Sequence, residues 1–488
     1  MRKILFTAWM AAACAWAQSA PGHSAFYRDE VHEIKLSFKQ TDWFEQLTAN
    51  YIDNEDDVPY IEADIEWGQW KYSRVGVRFK GNSSYRGATT KKKPFRIKLN
   101  EFVKGQKIEG MASFNLNNGW NDPSMVREKA YYDMSLAAGF PGPRLNYAAL
   151  YINGTYWGLY FLGEVVNGDF LENWYGKANS TGNLYKAQLP ATLEDKGDDK
   201  EAYRSMFEKK SNEDADDWSD LIKLIAVLNR TPDAQFAAEI EKVLDIDSVL
   251  CALAIDNLTV NLDSYAGMGQ NYYIYKRPSD GKFQWILWDP SLAFGALSQG
   301  QTIEQMKTLS VTWVNQGAQG GQGGPVGGPG GGAGGFSGAR PLAVKLWAVP
   351  KYKERYAQIY RWLVEYLWLP DQIVARMSSL RTMIRPWVER DTQKLNTLEQ
   401  FDQAMTTDLT QTGLGGGAPG GAQPPPGGFP GGGQPPPGGF PGDGQPPPGG
   451  GQPGQGGPGG GLGGAGTPGL DAFVHARELS VKSQLWPY

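Results

Sequence analysis

Residues 256–295 carry two carboxylates and a carboxamide where strands are expected to begin and end: Asp263, Asn271 and Asp289. Asn271-Tyr-Tyr-Ile-Tyr275 is aromatic and β-branched, Pro278-Ser-Asp-Gly281 is a turn signal, and Phe283-Gln-Trp-Ile-Leu-Trp288 is a second apolar run. Together they read as a β-hairpin. Asp263 lies a short Gly-containing loop before the first strand, Asn271 opens that strand, and Asp289 follows the second, so all three gather at one end. Oxygen donors without a neighbouring His or Cys suit a hard divalent cation such as Mg²⁺ or Mn²⁺ rather than zinc. Turn capping by the two aspartates is the competing reading.

The elements that must position these groups lie on both sides of them. Residues 73–80 and 95–99 alternate as strands, joined through Gly81-Asn-Ser-Ser-Tyr-Arg-Gly87 and a Lys/Thr-rich link. A Gly/Ser loop of this kind can turn backbone N–H groups, here around Ser83 and Ser84, toward phosphates, and Lys98 on the return strand could reach them as a point charge. A plain hairpin turn is the alternative. Asp122-Pro-Ser124 supplies helix-start chemistry for a helix over 125–138, whose Glu128 could pair with Lys98 or sit in a local surface ion pair. Residues 145–152 and 156–165 flank Asn153-Gly154, a two-residue hairpin signal, and Glu164 lies where the second strand leads into a helix beginning at Phe170. Asn212, Asp214 and Asp216 alternate as in a calcium loop but lack its Gly and closing Glu, and read better as a cap for the helix from Trp218.

A chain of 488 residues with 17 Trp can bury a large core. Lys+Arg 47 against Asp+Glu 52 gives a net charge of -5, which argues against nucleic acid as the main partner. Arg2-Lys3, an apolar run over 4–13 and Ala15-Trp-Ala17 spell a secretory signal peptide, so a secreted, periplasmic or cell-surface location is expected. Ala11-Ala-Ala-Cys14 offers a weaker reading, in which Cys14 becomes lipidated. No later stretch approaches the roughly twenty apolar residues of a transmembrane helix. Cys251 sits in an apolar helical context that reads as core, with no partner left for a disulfide.

Residues 316–338 are nearly all Gly, Gln, Ala and Pro, and in 413–469 Gln-Pro-Pro-Pro-Gly-Gly recurs from Gln423, Gln434 and Gln445. Neither segment can bury a core, and Gly is not strictly every third residue, so disorder rather than collagen is expected. The expected organisation is a signal peptide at 1–17, a core at 18–315 whose β-rich part ends near 165, a Gly-rich loop at 316–339, helices at 340–412, a repeat loop at 413–469 and a returning helix at 470–488.

The hairpin stretch resembles the catalytic half of a protein kinase, with a catalytic-loop Asp, an Asn heading a strand, and Asp289 with Phe294-Gly295 echoing the Asp-Phe-Gly turn. More widely, the chain resembles the CotH-type kinases, named for spore coat protein H. The similarity is carried by Lys80-Gly-Asn-Ser-Ser84, Lys93-Pro-Phe-Arg-Ile-Lys-Leu99, Asp122-Pro-Ser-Met-Val-Arg-Glu-Lys129, Tyr156-Trp-Gly-Leu-Tyr160, Gly182-Asn-Leu-Tyr-Lys186, Asn261-Leu-Asp-Ser-Tyr265 and Asn271-Tyr-Tyr-Ile-Tyr275. Trp288-Asp289 through Phe294-Gly295 completes the set, and the similarity covers about Phe26 to Asn315, continues through the helices after Pro341 and includes the final helix. The resemblance implies an α+β, protein-kinase-like bilobal fold with a β-rich first lobe and a mainly helical second. It also implies an ATP-dependent protein Ser/Thr kinase using Mg²⁺ or Mn²⁺. Asp263 matches the catalytic Asp, Asp289 and Asn271 the metal ligands, Lys98 the phosphate-contacting lysine with Glu128 as its partner, and Glu164 the hinge beside the nucleotide base. The family commonly has an acidic residue two positions after the metal Asp, where this chain has Ser291. That departure keeps open a catalytically silent surface or adhesion protein with the same fold. A glycan-active enzyme would instead need two carboxylates flanking a sugar-sized groove.

Overall fold

The computed structural model describes residues 22–54, 57–315, 339–409 and 466–486. The expected signal peptide, the Cys14 lipid site, the Gly-rich loop save its last residue, and the Gly/Pro repeats up to residue 465 lie outside the described residues. The fold is mixed α+β. Its first part is a closed barrel with strand order β1-β2-β3-β4-β5-β7-β6. The strands are β1 (Val31–Ser37), β2 (Ile61–Trp67), β3 (Trp70–Phe79), β4 (Phe95–Lys98), β5 (Ser113–Asn117), β6 (Leu145–Ile152) and β7 (Thr155–Gly163).

Alternation explains the closure. Ile61, Ala63, Ile65 and Trp67 of β2, Val75, Val77 and Phe79 of β3, and Phe95 and Ile97 of β4 fill one apolar interior, while the residues between them form the outer wall. A parallel pairing of β1 with β6 closes the ring and leaves no free edge. Asn153 and Gly154 both adopt positive φ, 48° and 81°, as the type I′ turn between β6 and β7 requires.

Helix α1 (His23–Tyr27) precedes the barrel, α2 (Trp43–Asp53) packs on it, and α3 (Ser83–Arg86) is a single turn inside the loop that was expected to be an open Gly/Ser hairpin. Helix α4 (Arg127–Ala137) crosses from the barrel to the second part and buries nearly every side chain of its first two turns. Its anchor is Arg127, which donates to Asp122 at 2.9 Å and to the carbonyl of Pro468 at 2.8 Å. After β7, Asn167 caps α5 (Gly168–Tyr175) by accepting from Phe170 N.

The second part holds a four-stranded sheet ordered β11-β10-β8-β9, with β8 (Leu184–Ala187), β9 (Phe207–Lys209), β10 (Tyr272–Lys276) and β11 (Phe283–Leu287). Around it lie α6 (Ser219–Arg230), α7 (Asp233–Val243), α8 (Ile246–Leu258), α9 (Ile303–Lys307), α10 (Pro341–Ala348), α11 (Pro350–Tyr366), α12 (Pro370–Arg390), α13 (Leu398–Gln403) and α14 (Leu470–Leu485). In place of a calcium loop, Asp216 accepts from Lys200, Arg204 and Trp218 just before α6. No described helix is long and apolar enough to cross a membrane.

The last helix is part of the core. Phe473 packs where a Cβ on Gly295 would come within 2.9 Å of it. Arg477, fully buried, donates to Asn257 O at 3.1 Å and to Leu258 O at 3.4 Å. It thus places a cation on the carbonyls that end α8. Leu409 and Thr467 exchange backbone hydrogen bonds of 2.8 and 2.7 Å, so the chain returns beside the point where it left. The expected repeat segment therefore stops short of Gly466, because Thr467, Pro468 and Gly469 are bonded into the fold.

Replacing residues 411–465 by a short Gly/Ser turn should leave the thermal midpoint nearly unchanged. Phe473→Ala should lower the unfolding free energy by about 3–5 kcal/mol, read from denaturant midpoints. A large loss in the first variant, or none in the second, would contradict this placement of α14.

Candidate active site

The hairpin of β10 and β11 pairs Tyr272 with Leu287, so Asn271 and Asp289 both lie just beyond the same end, with Asp289 one residue past the position opposite Asn271. Both adopt left-handed backbone, with φ of 59° and 50°, a conformation that Asn and Asp tolerate better than other side chains with a Cβ. The Asp289 N–H donates to Tyr132 Oη on α4 at 3.0 Å, and Ser291 Oγ donates to Asp289 Oδ1 at 3.0 Å.

Asp263 arrives from the other direction, after the end of α8. Asp256 accepts from Tyr131 at 2.6 Å and from Asn261 at 2.9 Å, and Ser264 Oγ donates to Asn261 O at 2.7 Å, which fixes the loop. Both oxygens of Asp263 are then held by amides. Gln270 Nε2 donates to Oδ1, and Asn271 Nδ2 donates to Oδ2 at 2.9 Å and to the Asp263 carbonyl at 2.8 Å. Burial pushes the Asp263 carboxyl up to about 6; the Gln270 bond opposes this, Asp289 adds to it and Asn271 opposes it again.

The facing wall is the outside of the barrel. Lys80, directly after β3, donates to Asn117 Oδ1 at 2.9 Å, and Asn117 Nδ2 donates to Glu128 Oε1 at 3.1 Å. One asparagine therefore links a lysine and a glutamate that make no ion pair with each other. Burial pushes Glu128 up to about 8, with Asp289 raising it further and Lys80 opposing. It pulls Lys80 down to about 8 against the pull of Asp289 and Glu128. Beside them Arg96 donates to Asn115 at 3.1 Å.

Lys98 does not join this group. It pairs with Glu101 at 2.6 Å and lies over the Tyr60 ring. The register explains why: Gly76 pairs with Lys98 and Arg78 with Arg96, so Lys98 stands four residues, on the order of 13 Å, from Lys80 along the same outer face. Glu128 faces Lys80 through Asn117 instead. Glu164 spends its carboxylate on Arg144, which donates to it at 2.6, 3.0 and 3.1 Å through the guanidinium and the backbone. It thus braces the connection to α5. Ser83 is exposed and Ser84 half-buried on α3, and α3 follows Lys80 directly. Lys80, Asn117, Arg96, Lys186 and Gln270 had no role in the sequence reading. Lys80, Arg96 and Lys186 lie in stretches that carry the family resemblance, and outward parity at the end of β3 was the available signal for Lys80.

Among the described residues no group of three or more His, Cys, Asp and Glu is close enough to hold a metal. The donors at the hairpin end are instead mixed: Asp289, which is exposed, and Asn271, whose amide nitrogen is committed to Asp263 and whose Oδ1 is thereby turned away from it. Carboxylate and amide oxygens completed by water or phosphate oxygens fit a magnesium-type ion, which seldom takes an all-protein cage.

Comparison with known proteins follows the same lines. The family model described as CotH kinase protein matches residues 77–409. The chain is 24% identical to inner spore coat protein H of Bacillus subtilis (strain 168) over 330 residues, 66% of this chain and 81% of that protein. It is 26% identical to invasin CotH2 of Rhizopus delemar over 183 residues, 36% of this chain and only 30% of that protein.

Glu128 has a pH signature. A carboxyl raised from 4.5 to about 8 takes up a proton on folding, so the stability it contributes is complete at low pH and is lost as pH rises from about 4.5 to about 8. Glu128→Gln keeps an oxygen for Asn117 and removes this dependence. Its melting temperature should match the wild type near pH 4 and exceed it near pH 8; parallel melting curves across that window would refute the buried, raised carboxyl.

Proposed function

The chain belongs to the CotH kinase protein family, and from that premise and the geometry of the cleft we propose that it transfers the γ-phosphate of ATP to Ser or Thr hydroxyls of a protein outside the cytoplasm. The observation that carries the reading is Asp263, a carboxylate with both oxygens oriented by amide donors, facing Asp289 across from a lysine. On this reading the barrel and the helix-rich part act as the two lobes of a protein-kinase-like fold, with the nucleotide between them.

The steps follow from the side chains. Asp263 accepts the proton of the acceptor hydroxyl, the hydroxyl oxygen bonds to the γ-phosphorus, and the bond from that phosphorus to the β–γ bridging oxygen breaks, releasing ADP. A base near 6 is ionised at neutral pH yet keeps enough basicity to take the proton. Lys80 donates to a phosphate oxygen, and Asn117 holds its ammonium in place. Glu128, through Asn117, positions that lysine rather than pairing with it. Asp289 and Asn271 Oδ1 would hold Mg²⁺ or Mn²⁺, which when bound neutralises charge on the β- and γ-phosphates. Ser83 and Ser84 would cover the phosphates, and the Arg144-braced segment at Glu164 would flank the base. Lys98 has no part in this scheme.

A binding-only protein of the cell surface is the second reading. It is favoured by the invasin relative and by Ser291, which places a hydroxyl on Asp289 where the family commonly has a second acid. The spore coat and invasin relatives also support a location at or beyond the cell surface.

Purified protein given labelled ATP, Mg²⁺ or Mn²⁺ and a Ser-rich acceptor should label the acceptor, with a rate that rises through about pH 6 as Asp263 ionises. Asp263→Asn should reduce the rate by about 10²–10⁴-fold while ATP binding persists. Lys80→Met should weaken ATP binding and Lys98→Met should not. Absence of transfer together with absence of nucleotide binding would favour the binding-only reading.

A further inference from the structure

Three buried cations of this fold have carboxylates in contact, whereas Arg477 is met by carbonyls, an amide oxygen and a hydroxyl. Lys92 meets Asp391 at 2.6 Å, Arg127 meets Asp122 at 2.9 Å and Arg144 meets Glu164 at 2.6 Å. The cleft holds three half-buried cations of a different kind. Arg96 and Lys186 both lie close enough to Lys80 to disfavour its protonated form, and Arg96 does the same to Lys186, yet none of the three makes an ion pair with any described residue. Lys80 donates to the amide oxygen of Asn117, and Arg96 to that of Asn115 with the Tyr60 hydroxyl as a further partner. Arg96 also keeps a buried Nε without an acceptor. Lys186, on β8, is paired in register with Glu208 of β9 and Tyr273 of β10. Glu208 is engaged by Lys210 on one oxygen and by Gln188 on the other, so it lies near Lys186 and favours its charge without an ion pair.

Gathering three partly desolvated like charges with no carboxylate in direct contact is costly, and a guest that brings negative charge relieves that cost. Arg96 stands on the barrel and Lys186 on the second sheet, so a guest touching both bridges the two parts. We propose that Arg96 and Lys186 form a second anion subsite, distinct from Lys80, that binds phosphate oxygens of the nucleotide from opposite walls of the cleft. This rests on the nucleotide reading of the same cleft and adds to it a pair of specificity-determining residues. Three cations favour a polyphosphate over a single carboxylate or monophosphate, because it carries negative charge for each of them.

The test is calorimetric titration of the full-length protein and of Arg96→Met and Lys186→Met with ATP, adenosine and inorganic tripolyphosphate, at two salt concentrations. Each variant should bind ATP and tripolyphosphate about tenfold more weakly or worse, lose part of the salt dependence, and bind adenosine as the wild type does. Arg96→Lys, which keeps the charge, should recover part of the affinity and serves if the methionine variant does not fold. Equal losses for adenosine and ATP would overturn the subsite, making these residues supports of the pocket wall. ATP binding unchanged in the variants would overturn it while leaving the kinase reading intact. A wild type that binds tripolyphosphate through Arg96 and Lys186 but has no preference for ATP would keep the subsite and sink the nucleotide reading. Failure to bind either would sink both.

Discussion

Carboxamides, rather than opposite charges, hold the cleft of this protein together. Asn117 stands between Lys80 and Glu128, Asn115 takes Arg96, and Gln270 and Asn271 take the two oxygens of Asp263. A direct ion pair would satisfy such groups more strongly, but it would also lock them. An amide costs less to desolvate, donates on one side and accepts on the other, and leaves the charged atom with bonding capacity to spare. The price of that choice is visible in titration: burial without full compensation drives Asp263 and Glu128 up and Lys80 down. A cleft of this kind is destabilising while empty and is set to respond to a charged guest.

Such groups stay in place only because rigid elements meet behind them. The barrel has no edge along which it could slip, so the outward row that carries Arg96, Asn115 and Asn117 has a fixed register. Helix α4 supplies both Glu128 and the Tyr132 hydroxyl that accepts from Asp289 N, tying the barrel wall to the hairpin end. Arg127, one residue before Glu128, is anchored by Asp122 and by the carbonyl of Pro468. Far along the chain, α14 places Arg477 on the last carbonyls of α8, from which the Asp263 loop departs. The sequence after the Gly/Pro repeats, outside the region matched by the family model, thus braces both walls.

The parts of this arrangement that depend on local pattern were legible in the sequence. The hairpin that gathers Asn271 and Asp289 follows from a turn signal between two apolar runs, and the Asn153-Gly154 turn from its dipeptide. The barrel strands that were named follow from alternation. Closure of the ring depends on the parallel pairing of β1 with β6, two strands far apart in sequence, and no local pattern encodes that. That Lys80 and not Lys98 shares Asn117 with Glu128 was not legible for a related reason. Both side chains point outward, and only the pairing of Gly76 with Lys98 decides which end of the row meets α4. Glu164 is conspicuous in sequence as an acid between strand and helix, but its use depends on Arg144, twenty residues earlier and just before the neighbouring strand β6.

Ser291 gives the cation cluster a further meaning. Where the family commonly offers a second acid beside the metal-binding Asp, this chain offers a hydroxyl that bonds to Asp289, so the hairpin end presents one fewer negative charge. Fewer protein carboxylates mean a weaker pull on a divalent ion and less repulsion toward a polyphosphate. On the proposed reading, Lys80, Arg96 and Lys186 carry part of the neutralisation that a second acid would assign to metal. Fixed cations suit that role because their positions are set by the strands before the guest arrives, with little reorganisation left for the moment of reaction. Loss of the acid is therefore compatible with phosphate chemistry in this cleft, provided that the three unpaired cations are the groups that meet the phosphates.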